Sequence, residues 1–470
     1  MNLQLAVLAL YSIGIIALGL FVSRRVRGAS DFLVAGRTLG PGLMFTTFLA
    51  ANLGAGTTVG AASIGFELGM SAWWWVGSAG IGSLLLANLV GPKIWRLAKQ
   101  YDFQTMGDYL DHRYNRAVRG TIASLLWLGT LAILAGQLIA IATILEIVAG
   151  LPRWQSALAG GLIVMAYFSA GGLWAAARVN AVQLVIMMAG FLLAIPFALN
   201  ASGGWSAVAE TLSASREPGY MSVTGLGFSG ALRYLVILVP AFIVSPGLIQ
   251  KLYGGRDERS VRVGINLNAI CLLLFAFVPA IIGMIAYANF PDLANPDHAM
   301  GTVLVELLPG SVGLLALAAI LSAEISTCDA ILLMLSSSLS IDLYKNFFNP
   351  DADEKRLLQV SRIAAIVGAI FAILLAVRLP SIISALEIFY GLMAVALFVP
   401  TIAGLYSRIP SARSAIWTIG GSVLTTVAVY VATEGSGIGV LTPYAIGILS
   451  ALALMLGRVW MKDLPTHRST

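Results

Sequence analysis

The feature that most constrains this chain is a series of thirteen apolar segments, each near the length a helix needs to cross a bilayer, separated by short polar loops. They centre on residues 3–23, 43–67, 73–97, 119–149, 154–176, 180–201, 227–252, 263–289, 311–344, 358–379, 383–406, 412–432 and 438–459. Hydrocarbon offers a backbone amide no water to bond, so segments of this kind must be helical. The 470 residues are 59% hydrophobic and 11% charged, which excludes a string of soluble domains. The expected fold is an all-α polytopic membrane protein of about thirteen transmembrane helices. No stretch outside the spans is large enough for a second folded domain.

Threading these spans from an N-terminus outside places the 28 Lys and Arg residues on one side, except Arg153, Arg216, Arg233 and Arg378. That is the positive-inside asymmetry, and it predicts a multi-pass inner (plasma) membrane protein with a cytoplasmic C-terminus. The first apolar run has no basic leader, and Arg24, Arg25 and Arg27 follow it, so it reads as a retained span. The net charge of +6 is explained by topology and by attraction to membrane lipid, and Arg256, Arg259 and Arg262 read as part of that general attraction rather than as a specific lipid-phosphate site. It calls for no nucleic acid, and no obligatory protein partner is evident. Cys271 and Cys328 lie in apolar segments and read as packing residues, while His112, His298 and His467 stand apart without ligand spacing. No nucleophile, base and orienting partner occur together, which argues against an enzyme.

Two spans carry residues that interrupt a helix. The second contains Ala50-Ala51-Asn52-Leu53-Gly54-Ala55-Gly56-Thr57-Thr58, and the seventh contains Ser245-Pro246-Gly247. Backbone that leaves the helix at membrane depth must face a cavity, a ligand or an ion. The two breaks lie five spans apart, the pattern of an inverted-repeat transporter with substrate held between two discontinuous helices. The partition expected is an extra helix and loop over 1–37, five-helix repeats over 38–201 and 202–406, and two additional helices and a tail over 407–470. Asn52, Thr57, Thr58, Ser245 and Tyr390 are the candidates to line a pocket for a small polar solute. The Trp73-Trp74-Trp75 run reads as an interfacial anchor rather than a substrate cage.

The ninth span carries the most chemistry. Ala323, Ser326 and Thr327 stand at i, i+3 and i+4, so a carbonyl and two hydroxyls share one face as a hard-oxygen surface for a small cation. Acids inside spans are costly and therefore informative. Asp329 shares nearly that face and is a candidate for a second cation or proton site. Glu324 points roughly 160° away from Ser326, toward another helix, and Glu387 reads as reaching the interface.

At these residues the chain resembles the sodium/solute symporter family, including its bacterial proline, galactose and sialic-acid carriers. Leu49-Ala50-Ala51-Asn52-Leu53 looks like the family's broken first core helix, and Ala323-Glu324-Ile325-Ser326-Thr327 resembles its Ala-x-x-Ser-Ser/Thr motif. Asp342-Leu343-Tyr344-Lys345 follows at the family spacing, as do Phe103 to Leu110 with Arg113-Tyr114, and Gly171-Gly172-Leu173 through Val182-Gln183. The resemblance implies a leucine-transporter-type 5+5 core and Na+ as coupling ion, bound by the carbonyls of Ala50, Leu53 and Ala323 and the hydroxyls of Ser326 and Thr327.

Departures from the pattern are informative too. Asn180 stands where family members usually have Asp, and Asp329 stands at a serine position, so charge at a second site is expected to have moved from Asn180 to Asp329. Thr57 and Gly56 replace the residues that contact sugar in the galactose carrier, which removes support for a sugar. The function expected is sodium-coupled symport by alternating access. The rivals are proton-coupled symport through Asp329 and a membrane receptor that senses solute without moving it.

Overall fold

The computed structural model describes residues 3–24, 29–168 and 172–463; Arg25, Arg27, Gly171 and His467 lie outside them. Among these residues the regular structure is helical, apart from two isolated bridges, Leu39 to Gly255 and Ile438 to Leu441. Leu10, Ile13 and Phe21 of the first helix, Leu3–Ser23, are more than 60% exposed, as expected of a surface that lipid covers.

Ten helices among the described residues are long and apolar enough to cross a membrane, and Pro443–Gly457 adds a shorter one. The expected count of thirteen spans is therefore not matched by helices of full membrane length, and the physical reasons are local. Segment 43–67 is cut into Pro41–Asn52 and Val59–Leu68. Segment 154–176 forms the 16-residue helix Arg153–Phe168. The last helix starts only at Pro443, because Gly435, Gly437 and Gly439 hold the preceding turn at positive φ.

Chain direction follows from pairs of touching residues. Met44 lies against Gly264 and Ala62 against Gly283, so the first broken helix runs parallel to the Glu258–Phe275 and Phe277–Asn289 helices. Trp73 Nε1 donates to Leu273 O at 3.1 Å and Asn88 Nδ2 to Asn266 Oδ1 at 2.8 Å, so the following helix runs the opposite way. The reversal sits at Gly69, whose φ of 63° suits glycine.

The packing repeats with an offset of five spans. The first broken helix packs on Glu258–Asn289, and of the second, Gly227–Val244 packs on Trp73–Leu85 and Pro246–Tyr253 on Gly91–Tyr101. Gly172–Ala201 packs on Gly310–Ser337, as Ile382–Leu392 packs on Arg116–Ala149. This is the contact pattern of two inverted five-helix repeats.

One end of the bundle is tied by charge. Arg119 donates to Asp342 Oδ1 at 2.8 Å and also reaches Asp108 at 2.8 Å and Asp111 at 3.3 Å. Thr105 Oγ1 adds a 2.6 Å bond to the same Asp342 oxygen and, with Asp108, forms the capping box of the short helix Met106–Arg113. The Phe103 to Leu110 loop motif thus fastens the Arg116–Ala149 helix to the continuation of Gly310–Ser337. A Cβ on Gly283 would stand 2.6 Å from the backbone of Gly65 and Phe66, whereas one on Gly14 meets nothing. Gly283→Ala is expected to destabilise the protein by about 1–3 kcal/mol, with Gly14→Ala unchanged, as read by thermal unfolding in detergent.

Candidate functional site

The first break can be read as a ledger of backbone groups that the helix no longer satisfies. Leu53 ends Pro41–Asn52 at φ −87° and ψ 76°, which turns its carbonyl out of the ladder. Thr57 Oγ1 donates to Asn52 O at 2.7 Å and accepts from Gly54 N at 3.0 Å, bridging the gap with one hydroxyl. Ala55 N donates to Gln137 Oε1 at 2.9 Å, and Gly56 O accepts from Trp75 Nε1 at 2.9 Å. Thr58 Oγ1 donates to Gly54 O at 2.9 Å and lies 3.1 Å from Glu324 Oε1.

The end of Pro41–Asn52 meets the ninth-span motif directly. Ser326 Oγ lies 2.8 Å from Ala50 O and 3.0 Å from Ala323 O. Thr327 Oγ1 lies 3.3 Å from Ala50 O and 3.4 Å from Ala51 O. Ala50, Ala323 and Ser326 are fully buried. The donor set is neutral hard oxygen at the negative end of a half-helix dipole, which fits a small monovalent cation. A Cβ on Gly54 would stand 2.5 Å from Thr327 Oγ1, so glycine is what lets the two elements approach.

Beside this surface lies a cavity between the two broken helices. Asn52, Thr57, Ser245 and Tyr390 line it, together with Gln137 and Lys251. Thr58 does not, because its hydroxyl is committed to Gly54 and Glu324. Tyr390 packs with Trp75 (6.1 Å between centroids) and Phe242 (5.5 Å) as an aromatic cluster on one side.

The Sodium:solute symporter family profile matches residues 32–421. The chain belongs to this family. It is 24% identical over 464 residues to the sodium/glucose cotransporter of Vibrio parahaemolyticus (90% of this chain, 84% of that one). It is 27% identical over 453 residues to the sodium/pantothenate symporter of Escherichia coli K12 (93% and 91%). A solved Na+-coupled sialic acid symporter, substrate-bound and outward-open, superposes with a TM-score of 0.82 at 18% identity, covering 97% of this chain and 98% of that one. The structural likeness shows a shared leucine-transporter-type fold, and family and neighbours are transporters rather than enzymes.

Within this sodium:solute symporter the second candidate pair is not joined. Asn180 is fully buried with neither amide atom hydrogen-bonded, and the charge acting on Asp329 is that of Lys251. Lys251 itself corrects the loop count that assigned it to the inner side: it is 2% exposed and sits beside the cavity. Trp75 also corrects its assignment. Three consecutive helical residues face three directions, so Trp75 is buried at 2% against the break, while Trp73 and Trp74 are half-buried. Glu387 is half-buried in a side cavity with Tyr430 and Tyr444, under the charge of Arg233. Gln137, absent from the sequence reading, carried one signal: an amide in the middle of an otherwise apolar helix. Gln137→Leu strands the Ala55 N–H and is expected to cost about 1–3 kcal/mol, measured by thermal unfolding.

Proposed function

We propose that this chain carries a small polar organic solute inward with sodium, by alternating access across the cell membrane. The observation that carries the reading is the convergence of the Ser326 and Thr327 hydroxyls on the Ala50 carbonyl, at the end of a half-helix that also borders the cavity. Sodium, held by Ala50, Leu53, Ala323, Ser326 and Thr327, links the first broken helix to Gly310–Ser337. That link stabilises the arrangement in which Asn52, Thr57, Ser245 and Tyr390 face the solute. By linkage, solute tightens sodium binding by the factor with which sodium tightens solute binding. A membrane potential of about 100 mV adds roughly 2.3 kcal/mol per inward charge, about a fifty-fold solute gradient.

In this reading the N-terminus lies outside, the C-terminus lies in the cytoplasm, and the repeats 38–201 and 202–406 move against each other. The Arg119 and Asp342 network then lies at the inner end.

The test is thermal stabilisation of the purified protein by sodium, with potassium as the ionic-strength control. The expected result is a sodium-specific rise in melting temperature that Ser326→Ala/Thr327→Ala abolishes. Equal curves in sodium and potassium would sink sodium coupling and direct attention to proton coupling at Asp329. The sodium-to-solute ratio of Asp329→Asn separates two further roles. A reduced ratio makes Asp329, with Asn180, a second cation position; an unchanged ratio leaves it a fixed charge beside Lys251.

A further inference from the structure

We propose that the solute carries a carboxylate and that Lys251 recognises it. This rests on the symport reading and narrows its substrate class.

Among the described residues lining the central cavity, Lys251 is the one that is charged. Its ammonium has three donors, of which one goes to Thr47 Oγ1 at 3.1 Å. No acid among the described residues pairs with it within 4.0 Å; Asp329 acts on it from farther away. A buried ammonium in a membrane bundle is costly unless a negative partner completes its shell.

A second feature of the same wall favours the same charge. Ser245, Gly247 and Leu248 line the cavity at the start of the half-helix Pro246–Tyr253. Pro246 has no N–H, and the first-turn N–H groups of Gly247 and Leu248 have no carbonyl one turn earlier within that helix. The positive end of the helix dipole therefore faces the cavity. Helical side chains lean toward the N-terminus, so Lys251 extends back over the turn that holds Gly247 and Leu248. Lys251, with two donors left, and the orphan N–H groups of Gly247 and Leu248 thus border one cavity and offer it positive charge for a carboxylate. Among the described residues no acid lines the cavity to receive a positive group, and Phe242, Phe389 and Tyr390 offer an apolar wall to the rest of the solute. The geometry suits a small carboxylate with a neutral body.

The experiment measures stabilisation of the purified chain, with and without sodium, by lactate, pyruvate, benzoate and pantothenate. Lactamide, pyruvamide, benzamide and glucose serve as neutral counterparts. At least one acid is expected to bind tenfold or more tightly than its amide. Lys251→Met should erase that preference while keeping the sodium-dependent shift, which shows that the protein is folded, and Lys251→Arg should retain part of it. The proposal is overturned if no acid stabilises the protein, if amides or glucose bind as well as acids, or if Lys251→Met keeps the preference. It is also overturned if Lys251→Met/Asp329→Asn regains a preference lost in Lys251→Met, because Lys251 would then serve only to balance Asp329. Loss of the sodium shift in the unmodified chain, with the acid preference intact, would refute the sodium reading and leave this one standing.

Discussion

A backbone carbonyl inside a membrane protein must find a partner, and the rest of this structure is arranged around that requirement at Ala50 to Thr58. Within an unbroken helix the ladder supplies every partner. Here the ladder stops at Asn52, and a local hydroxyl and three other helices supply what it no longer does. Thr57 closes the gap locally, Gln137 takes the Ala55 N–H, Trp75 takes the Gly56 carbonyl, and Ser326 and Thr327 reach the Ala50 carbonyl. The last three contacts tie the break to three different helices. The break is thereby bonded at once to Arg116–Ala149, to Trp73–Leu85 and to Gly310–Ser337.

Close approach makes those bonds possible. Lipid gives helices little hydrophobic reason to associate, so contact depends on small residues that let backbones meet. Gly54 admits the Thr327 hydroxyl and Gln137, Gly65 and Gly283 admit each other's helices, and Gly107 admits the Asp342 carboxylate. Two of the buried charged residues are held by partners drawn from other helices. Arg119 is surrounded by three acids at one end of the bundle, and Glu324 is tied to Thr58 in the break.

What could be read in the sequence depended on whether a residue's partner lay close along the chain. Ala323, Ser326 and Thr327 were legible because helical spacing alone puts them on one face. The breaks were legible because glycine pairs and Ser-Pro-Gly disfavour helix wherever they occur. Gln137 and Trp75 were not, since the groups they satisfy are 82 and 19 residues away. Thr58 was assigned to the pocket by its neighbours, yet its hydroxyl turns to Glu324, a partner 266 residues distant. Lys251 was misread for a related reason: counting loop charges treats a lysine near the end of an apolar run as solvent-bound, although its ammonium reaches Thr47 in another helix.

The sequence by itself determined that the chain is helical, lies in a membrane, and is interrupted twice at equivalent points of two repeats. These follow from hydrophobic length, helical period and the conformational limits of glycine and proline, all of which act over a few residues. The tertiary structure alone decided which oxygens converge on Ala50, which side chains complete the broken backbone, and that a lysine is buried beside the cavity. Those outcomes depend on how helices far apart in the chain are registered against one another, and registry is set by packing between elements, which local spacing does not encode.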